Sequence, residues 1–395
     1  MVHQTIKTRS TSATSASSKI NPMVKRFQVW TITALIVGSL AACASRRPPS
    51  EPAPSAAETA STPAQGEIIE QARSRWVPVA WSELPGFDAD ALHDAWNAWL
   101  RSCERPGPVF GPVCGEVRQL SIGSSEEQRA WMQARLQPYR VEAPGGGRQG
   151  LLTGYYEPMF EASRLPRQGF AVPLYRPPAG LAAGRAWFSR QQIDTLPQAQ
   201  AALRGQEIAW LADPVDALIL QIQGSGRLRI AEPDGSQRLV RLAFAGANEH
   251  PYQSVGRWLL DQGLVRDASW GGIKAWVAAN PMRLQEMLWS NPRYIFFREE
   301  ALVDLDSGPR GAQGVALTPG RSIAVDPLSI PYGTPVWLAT SGPAANLNRL
   351  VLAQDTGSAI VGAVRADYFA GWTEGAGELA GRLKQPLQLW VLWPR

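Results

Sequence analysis

The spacing of apolar residues predicts a first helix over residues 88–101. Leu92, Trp96 and Leu100 recur at helical intervals and form one stripe, with Trp99 beside it. Because such a stripe normally packs against the core of a domain, we interpret these tryptophans as core residues rather than as platforms for sugars.

Two later stretches also have helical patterns. One covers residues 250–264, whereas the other begins at Asn280 as the cap, with Pro281 at its first position. The second should end before Pro292, because the residue that precedes a proline disfavours the helical conformation.

Between residues 150 and 244 the pattern is typical of strands. We interpret the apolar run of residues 217–223 as a strand that ends in a Gly-Ser-Gly turn. Apolar runs at residues 228–230 and 239–244 enclose an Asp-Gly pair, which is favourable for a hairpin turn.

The C-terminal third is expected to form strands and turns almost to its end. Its apolar runs lie at residues 315–317, 322–325, 335–338, 350–354 and 387–393. Several short strands within about 100 residues, with little helix, predict a small closed barrel. The fold class expected from the whole pattern is mainly β with some α.

The N-terminus has the pattern of a secretory signal. A basic region at residues 23–26 precedes a mostly apolar run at residues 29–42. This run is too short to span a bilayer, which needs about 20 residues. We therefore predict that residues 1–42 are a signal peptide, with Met1 or Met23 as the start.

The signal ends in the segment LAAC at residues 40–43, which resembles the lipobox of bacterial lipoproteins. In that class cleavage precedes the cysteine, so Cys43 would be acylated, and several buried acyl chains give stable anchoring. Since no aspartate follows Cys43, the resemblance favours anchoring in outer-membrane lipid, with the protein facing the periplasm. An ordinary signal peptide that ends in cysteine is the alternative.

The residues that follow the anchor are expected to form a tether, over residues 43–74. Residues 44–66 consist largely of Pro, Ala and Ser and have almost nothing to bury, so they cannot offset the entropy lost on ordering. A tether would let a folded domain reach material away from the membrane.

Composition limits the classes of partner. Of the 395 residues, 45% are apolar and 18% are charged, which is typical of a globular protein. The net charge of +5 lies entirely in residues 1–42, because the remainder has 34 basic and 34 acidic residues. Nucleic acid is therefore not expected as a partner.

Two cysteines, Cys103 and Cys114, lie beyond the anchor. They flank a turn-rich segment, and the oxidising compartment that the signal implies favours pairing. We predict a disulfide between them rather than two free buried thiols.

The inventory of reactive side chains excludes most standard catalytic sites. Histidine occurs only at positions 3, 93 and 250, and the sequence contains no HExxH, CxxC, GxSxG or Gly-Lys motif. We expect neither a metal nor a cofactor. The segment GAGELA at residues 375–380 fits a dinucleotide fingerprint, but no βαβ unit follows it and we interpret it as a turn.

Carboxylate chemistry remains, and three aspartates of the C-terminal region are suited to it. Asp326, Asp355 and Asp367 each adjoin apolar strand residues and lie near Gly or Pro. A carboxyl held at a strand end is partly desolvated and has a perturbed pKa. One such aspartate alone would be interpreted as a turn residue, whereas three in a compact region favour a site.

Five ordered motifs carry a resemblance to a known family. They are TGYYEP at residues 153–158, QIQGSG at 221–226, GANEHPY at 246–252, NPRYIFF at 291–297 and the three-aspartate region. In these motifs the chain resembles the membrane-bound lytic murein transglycosylase A family, over residues 75–395.

The resemblance implies two domains. The family has a double-psi β-barrel that contains the three aspartates, and a second β-rich domain inserted into it, with the substrate groove between them. By analogy, residues 75–152 and 290–395 would form the catalytic barrel, and residues 153–289 the inserted glycan-binding domain.

The resemblance also implies the reaction. The family cleaves the MurNAc–GlcNAc β-1,4 bond of peptidoglycan without water and leaves a 1,6-anhydro-MurNAc end, in cell-wall turnover and remodelling. Its catalytic aspartate corresponds to Asp367, in the phrase RADY at residues 365–368. The segment that begins at Asp355 departs from the family pattern in Ser358, where glycine is usual.

The physics of this reaction agrees with a single catalytic carboxyl. Because the C6 hydroxyl of the substrate itself attacks C1, no water has to be positioned, and one group can serve as general acid and then as base. That group must start protonated, so we expect burial and the nearby Asp355 to raise the pKa of Asp367. Asp355 and Asp326 are assigned supporting roles.

Contacts to the sugars are expected near the first three motifs. The candidates for stacking on sugars or bonding their acetamido groups are Tyr155, Tyr156, Glu157, Gln223, Ser225, Gly226, Arg227 and Asn248. Expected partners are the glycan strands and, as candidates, cell-wall synthesis or scaffold proteins, and we expect a monomer.

Two alternative functions stay open. One is a non-catalytic peptidoglycan-binding lipoprotein of the outer membrane, in which the aspartates only bond sugar hydroxyls. The other is a hydrolase, in which Glu157 or Asp355 supplies a second catalytic carboxyl.

Overall fold

The computed structural model describes residues 66–395. The predicted signal peptide, Cys43 and the tether up to residue 65 lie outside the described residues. Secondary structure begins before the predicted end of the tether at residue 74, since a strand at Ile69–Glu70 already pairs with the next one.

Fifteen strands occur in the described part of the chain. In chain order they are β1 (Ile69–Glu70), β2 (Arg75–Pro78), β3 (Leu136–Glu142), β4 (Gly150–Tyr155), β5 (Met159–Ser163), β6 (Val172–Tyr175), β7 (Glu207–Leu211), β8 (Gly226–Ala231), β9 (Gln237–Ala247), β10 (Ile295–Ala301), β11 (Ser322–Val325), β12 (Pro335–Ser341), β13 (Asn346–Asp355), β14 (Arg365–Phe369) and β15 (Lys384–Pro394).

Ten α-helices connect and cover these strands. They are α1 (Leu92–Ser102), α2 (Cys114–Gln119), α3 (Ser125–Arg135), α4 (Arg190–Thr195), α5 (Pro197–Leu203), α6 (Pro214–Gln223), α7 (Val255–Asp261), α8 (Trp270–Ala279), α9 (Leu284–Trp289) and α10 (Glu374–Arg382), all within residues 66–395. Among these residues, no helix is both long enough and apolar enough to cross a membrane.

Nine of the strands form one sheet that curves into a barrel. The strand order is β1-β2-β3-β15-β12-β13-β11-β14-β4, and β4 pairs in turn with β15. Six strands, β15, β12, β13, β11, β14 and β4, therefore form a closed ring of paired strands. The barrel that the C-terminal pattern predicts is confirmed, and the fold is mainly β with some α.

The other six strands form a second sheet in the order β10-β9-β8-β5-β7-β6. The chain enters this sheet directly after β4 and leaves it after β10. The domain boundaries expected at residues 152 and 290 stay a prediction. The extents of the two sheets differ from these predicted boundaries. The strand β4 continues in the nine-stranded sheet to Tyr155, and β10, which begins after residue 290, belongs to the six-stranded sheet.

The tryptophans of α1 are core residues, as predicted. Trp96 and Trp99 are fully buried and pack with Trp337 and Trp390 of the barrel strands. The other cluster of this sheet is mostly aliphatic and also contains Trp76, Tyr139 and Tyr368, so each face of the sheet has its own apolar cluster.

The run of residues 217–223 is a helix and not the predicted strand. It lies in α6, where the Asp213 carboxylate accepts a hydrogen bond from the amide of Val215 at 2.8 Å. Pro214 occupies the first turn, and Gly224 ends the helix with a φ of 79° that suits glycine. Most of α6 is buried, so its apolar run lacks the polar stripe that marks a surface helix.

Three smaller predictions were also wrong. Residues 315–317 make an isolated bridge rather than a strand, because the segment turns back on itself. The segment GAGELA was predicted as a turn but lies in α10. Its small residues allow this helix to pack closely on β4. Asn280 does not cap the following helix, because its side-chain amide donates to the carbonyl of Trp276 at 2.8 Å at the end of α8.

Cys103 and Cys114 lie in one disulfide, with an S–S distance of 2.01 Å. The bond joins the residue after α1 to the first residue of α2, and both sulfurs lie in the apolar cluster around the α1 tryptophans.

Candidate active site

Two aspartates flank one residue of the barrel sheet. Ala324 of β11 pairs with Asp355 on β13 and with Asp367 on β14, so the two aspartates are two strand spacings, about 10 Å, apart along the sheet. Beyond β14, Thr153 of β4 lies opposite Asp367. Both carboxyls are half-buried. The sheet therefore brings together two of the three predicted aspartates.

Asp367 is held by one hydroxyl. The Thr153 Oγ1 donates to Asp367 Oδ1 at 2.5 Å, and the guanidinium of Arg365 donates to the same Oγ1 at 2.9 Å. Burial raises the pKa of Asp367, although the Thr153 hydrogen bond and the charge of Arg365 both act to lower it. The carboxyl thus favours its protonated form more than an exposed aspartate does.

Asp355 is held by more donors. Tyr155 donates its hydroxyl to Asp355 Oδ2 at 2.9 Å, and the amide of Ala312 donates to Oδ1 at 2.9 Å. Burial nevertheless raises the pKa of Asp355 to about 6, and the negative charge of Asp367 adds to the rise. Burial also raises the pKa of Tyr155 well above its ordinary value, so this phenol stays a donor.

Asp326 makes its contacts elsewhere in the barrel. It accepts from the guanidinium of Arg73 at 2.9 Å and from the amides of Leu328 at 3.0 Å and Gly362 at 2.8 Å. Burial acts to raise its pKa, but these two amides and Arg73 lower it overall. Asp326 is thus a charged turn residue that joins the end of β11 to the loop before β14.

Glu157 is enclosed with two arginines. Its carboxylate accepts from Arg227 at 2.8 Å and from Arg241 at 2.5 Å, and all three side chains are buried. The same guanidinium groups donate to the carbonyls of Leu305 and Ser307, in the segment that returns from the second sheet to the barrel. A carboxylate held in this way has no free oxygen to act as a catalytic acid.

Arg227 has a further neighbour in the barrel. Its guanidinium lies over the ring of Trp372, 4.4 Å from the ring centroid, in a cation–π contact. Arg227, which lies on β8, therefore contacts both segments that connect the two sheets and the end of the barrel. Its guanidinium donates to Glu157, Leu305 and Ser307, which are all part of the protein.

The other predicted contact residues divide into two groups. Asn248 is buried and bonds to the carbonyls of Phe188 and Pro292 and to the amide of Tyr294, so it ties the end of β9 to the segments before α4 and β10. Gly226 is buried where a Cβ atom would lie 2.3 Å from Leu220 and 3.0 Å from the carbonyl of Pro158.

Tyr156, Gln223 and Ser225 are only half-buried. The amide of Tyr156 donates to Gln223 Oε1 at 3.0 Å, so the segment after β4 adjoins the end of α6. These three side chains are therefore partly accessible, with Tyr156 directly after β4 and with Gln223 and Ser225 where the chain turns from α6 into β8.

No metal site is built from the described residues. Within residues 66–395, no three His, Cys, Asp or Glu side chains are grouped so that they could hold an ion.

Comparisons with known proteins decide the family. The family model of the MltA specific insert domain matches residues 151–298, and that of the 3D domain matches residues 321–393. Membrane-bound lytic murein transglycosylase A of Vibrio cholerae is 33% identical over 301 residues, which are 72% of this chain and 76% of that protein. The chain belongs to the membrane-bound lytic murein transglycosylase A family.

Solved structures of this family agree with the fold. MltA from Neisseria gonorrhoeae has 32% identity and a TM-score of 0.69, and the match covers 84% of this chain and 96% of that one. The lytic transglycosylase LtgG of Burkholderia pseudomallei has 43% identity and a TM-score of 0.57, over 84% of this chain and 98% of that one. Membership makes the chain a peptidoglycan lytic transglycosylase.

Three residues near the carboxyls of this transglycosylase were not predicted as site residues. Thr153 and Arg365 lie two positions from Tyr155 and Asp367 on their strands, so the alternation of side chains along a strand would have placed them on the same face. Tyr252 follows β9. Burial and, in smaller part, the charge of Asp367 raise its pKa. Only the folded arrangement of the two sheets brings this phenol near Asp367.

Proposed function

We propose that this transglycosylase cleaves the MurNAc–GlcNAc β-1,4 bond of peptidoglycan without water, with Asp367 as its single general acid and base. The observation that carries the proposal is the environment of Asp367. It is a half-buried carboxyl with a raised pKa, as a general acid requires. Glu157, which the sequence offers as a rival acid, is instead enclosed between two arginines. The Vibrio cholerae relative, a lytic murein transglycosylase, supports peptidoglycan as the substrate class.

In this mechanism Asp367 takes part in two proton transfers. It first donates its proton to the glycosidic oxygen as the bond from that oxygen to C1 breaks, and positive charge develops at C1. The C6 hydroxyl of the same sugar then bonds to C1, and its proton passes to Asp367, which ends as it began. Because both reacting atoms belong to one sugar, their effective concentration is high, and no water or second carboxyl is needed.

Asp355 is assigned a supporting role. Its negative charge and that of Asp367 disfavour each other, so a proton is retained on the pair to a higher pH than on either group alone. Tyr155 holds Asp355 in position through its hydroxyl. Asp326 supports Asp367 from a greater distance, because its bonds to Leu328 and Gly362 fix the loops beside β11 and β14.

Sugar contacts are assigned to the half-buried residues. Tyr156 follows β4, whereas Gln223 and Ser225 lie where the chain turns from α6 into β8. Their side chains are partly accessible, and an aromatic ring and polar groups suit pyranose rings and acetamido groups. We assign the buried residues Arg227 and Asn248 an indirect role, because their polar atoms bond within the protein and hold these segments.

We further propose how the molecule is arranged in the cell envelope. The nine-stranded sheet is the catalytic domain, the six-stranded sheet is the glycan-binding insert, and the glycan lies in a groove between them. An acylated Cys43 anchors the chain in the outer membrane, facing the periplasm. The lipobox-like segment and the word membrane-bound in the names of the relatives support this location.

The proposal is tested with Asp367→Asn on purified sacculi. The substitution keeps the size of the side chain but removes the transferable proton, so the release of soluble muropeptides should fall about 10²–10⁴-fold. Asp355→Asn should fall less, because it only tunes Asp367. The matched control is Asp261→Asn, an exposed aspartate of α7 that pairs with Arg257. It should keep the wild-type rate.

Mass analysis of the products separates the alternatives. The wild-type product should lack one water relative to a hydrolysed muropeptide, and Asp367→Asn should still bind sacculi. Reducing ends in the wild-type product would mean a hydrolase, and no release of muropeptide at all would mean a binding protein. A normal rate for Asp367→Asn would contradict the role of this residue.

A further inference from the structure

Thr153 joins Asp367 to a guanidinium. Parallel pairing of β4 with β14 puts Thr153 opposite Asp367, and Arg365 lies two residues before Asp367 on the same strand. The result is a chain of two hydrogen bonds, from Arg365 Nη2 to Thr153 Oγ1 at 2.9 Å and from Thr153 Oγ1 to Asp367 Oδ1 at 2.5 Å.

The direction of both bonds follows from the donor inventory. A guanidinium has donors only, so Thr153 Oγ1 must accept from Arg365. The single hydroxyl hydrogen of Thr153 is then available for Asp367 Oδ1, and the positive charge on Arg365 polarises this hydroxyl toward donation. An oxygen that already accepts a strong hydrogen bond is the less favourable place for the acidic proton of a carboxyl.

The other oxygen of the carboxyl is different. No donor within the described residues bonds Asp367 Oδ2, and the side chain is half-buried, so this oxygen is available to a substrate. We propose that Thr153, held by Arg365, is a positioning residue that keeps the acidic proton of Asp367 on Oδ2. This inference rests on the proposed role of Asp367 as general acid.

The consequence for the reaction is a fixed point of proton transfer. Oδ2 gives its proton to the glycosidic oxygen when the bond to C1 breaks, while Oδ1 stays bonded to Thr153 and shares the negative charge that remains. The proton of the C6 hydroxyl then passes to Oδ2, which restores the protonated carboxyl. Rotation of the carboxyl, which would put the proton on the wrong oxygen, would break the bond to Thr153.

Several titratable or charged groups face Asp367 and act on its titration. They are Arg365 on its own strand, Tyr155 on β4, Asp355 on β13 and Tyr252 after β9. Among these, only Arg365 is bonded to the hydroxyl of Thr153. Substitution of Thr153 therefore changes the bond to Oδ1 while it leaves these charges in place.

The test is the pH profile of Thr153→Val, measured as the initial release of muropeptides from sacculi. Activity needs protonated Asp367, so it falls as pH rises through the pKa of this group. Loss of a hydrogen bond to the anion raises that pKa, and the alkaline limb should move up by about one pH unit. The plateau rate should fall about tenfold, because the proton is no longer confined to one oxygen.

Two further threonine variants separate positioning from packing. Thr153→Ser restores the hydroxyl and should return both the limb and the plateau to near their wild-type values. Thr195→Val removes an exposed hydroxyl of α4 that bonds to Gln191, and it should match the wild type throughout. A loss of rate in Thr153→Val with an unmoved limb, or an equal loss in Thr153→Ser, would overturn the proposal.

Arg365→Met provides a second arm, because it removes the guanidinium that bonds to Thr153 and leaves the Thr153 hydroxyl in place. The single variant should also move the alkaline limb upward, and in the Thr153→Val background it should move the limb by less. Equal shifts in both backgrounds, or no shift in either, would mean that Arg365 does not act through Thr153.

Asp367→Asn, assayed in parallel, keeps the two proposals apart. If this variant is active, the role of Asp367 itself fails. If it is inactive and the limb of Thr153→Val stays unmoved, only the inference about Thr153 fails.

Discussion

Asp355 and Asp367 differ in the number of donors that hold them, although both are half-buried in one sheet. Within residues 66–395, Asp355 accepts from the hydroxyl of Tyr155 and from the amide of Ala312, whereas the side chain of Asp367 accepts only from Thr153. Hydrogen bonds to a carboxylate favour its charged form, but burial outweighs them at Asp355 and raises its pKa to about 6, and the charge of Asp367 adds to the rise. Burial raises the pKa of Asp367 as well, so the pair retains a proton to a higher pH than exposed aspartates do.

The raised pKa of Asp355 has a consequence for stability. A carboxyl with a folded pKa of about 6 and an ordinary value of 3.8 stabilises the folded state below pH 3.8, and this contribution is lost as pH rises to about 6. Asp355→Asn removes the titration. We therefore expect the melting temperature of wild type minus that of the variant to fall between about pH 4 and pH 6, and to stay constant at higher pH.

This difference is measured by thermal unfolding of both proteins across a pH series. Subtraction cancels the groups whose surroundings the substitution leaves unchanged, including Asp326. A difference that does not change over the series would mean that Asp355 has an ordinary pKa in the folded protein.

Among single residues, the sequence indicates which carboxyls to choose as candidates better than it indicates their hydrogen-bond donors. Asp355 and Asp367 could be chosen because strand-end aspartates are few in the chain and the motifs of the family contain them. The amide of Ala312 and the guanidinium of Arg73, 253 residues from Asp326, could not be predicted, because these contacts depend on how distant segments meet. The sealed position of Glu157 has the same origin.

Among the elements, α6 is where pattern and structure disagree most. A run of apolar residues has the same composition in a buried helix and in a buried strand, and periodicity alone cannot separate them. The end signals could have done so, since Asp213 and Pro214 precede the run and Gly224 follows it. The barrel strands were easier to predict, because glycine and proline bound short runs there.

The disulfide gives a prediction for the helical cover of the barrel. Cys103 and Cys114 close a short loop between α1 and α2, so replacing both by serine should lower the free energy of unfolding by somewhat under about 3 kcal/mol. Urea unfolding of the double variant measures the loss. Peptide mapping of the wild type without reductant should find the two peptides linked, and free thiols at both positions would contradict the pairing.

For the molecule as a whole, the cluster of Glu157, Arg227 and Arg241 connects the two sheets. It is buried, and it contacts both segments that cross between the sheets. Removing one member of a buried ion pair leaves the remaining charge without a partner, which typically costs about 3–5 kcal/mol. We therefore expect this cluster to matter for stability more than for contact with sugars.

Arg227→Met tests that expectation. The variant should lose about 3–5 kcal/mol of unfolding free energy in urea, because Glu157 keeps only one arginine. The matched control is Arg229→Met on the same strand, whose ion pair with Glu161 is exposed and should be worth at most about 1 kcal/mol. If Arg227→Met were as stable as Arg229→Met but failed to bind sacculi, Arg227 would be a sugar contact after all.

The anchor is tested in cells, since it lies outside the described residues. Cys43→Ala should block both lipid attachment and processing, because the thiol is the atom that would be acylated. Metabolic labelling with a fatty acid and separation of the membranes measure the outcome. A variant that still matures and sediments with the outer membrane would contradict acylation at Cys43.

The two segments that cross between the sheets meet at one side chain, because Arg227 bonds to Glu157 on the outgoing segment and to Leu305 on the returning one. Every ladder of the nine-stranded sheet lies outside residues 158–304. The six-stranded sheet is therefore a separate unit, and the segments by which the chain enters and leaves it lie close together. Replacing residues 158–304 would therefore remove no strand of the nine-stranded sheet, and Asp355 and Asp367 would keep their strand partners.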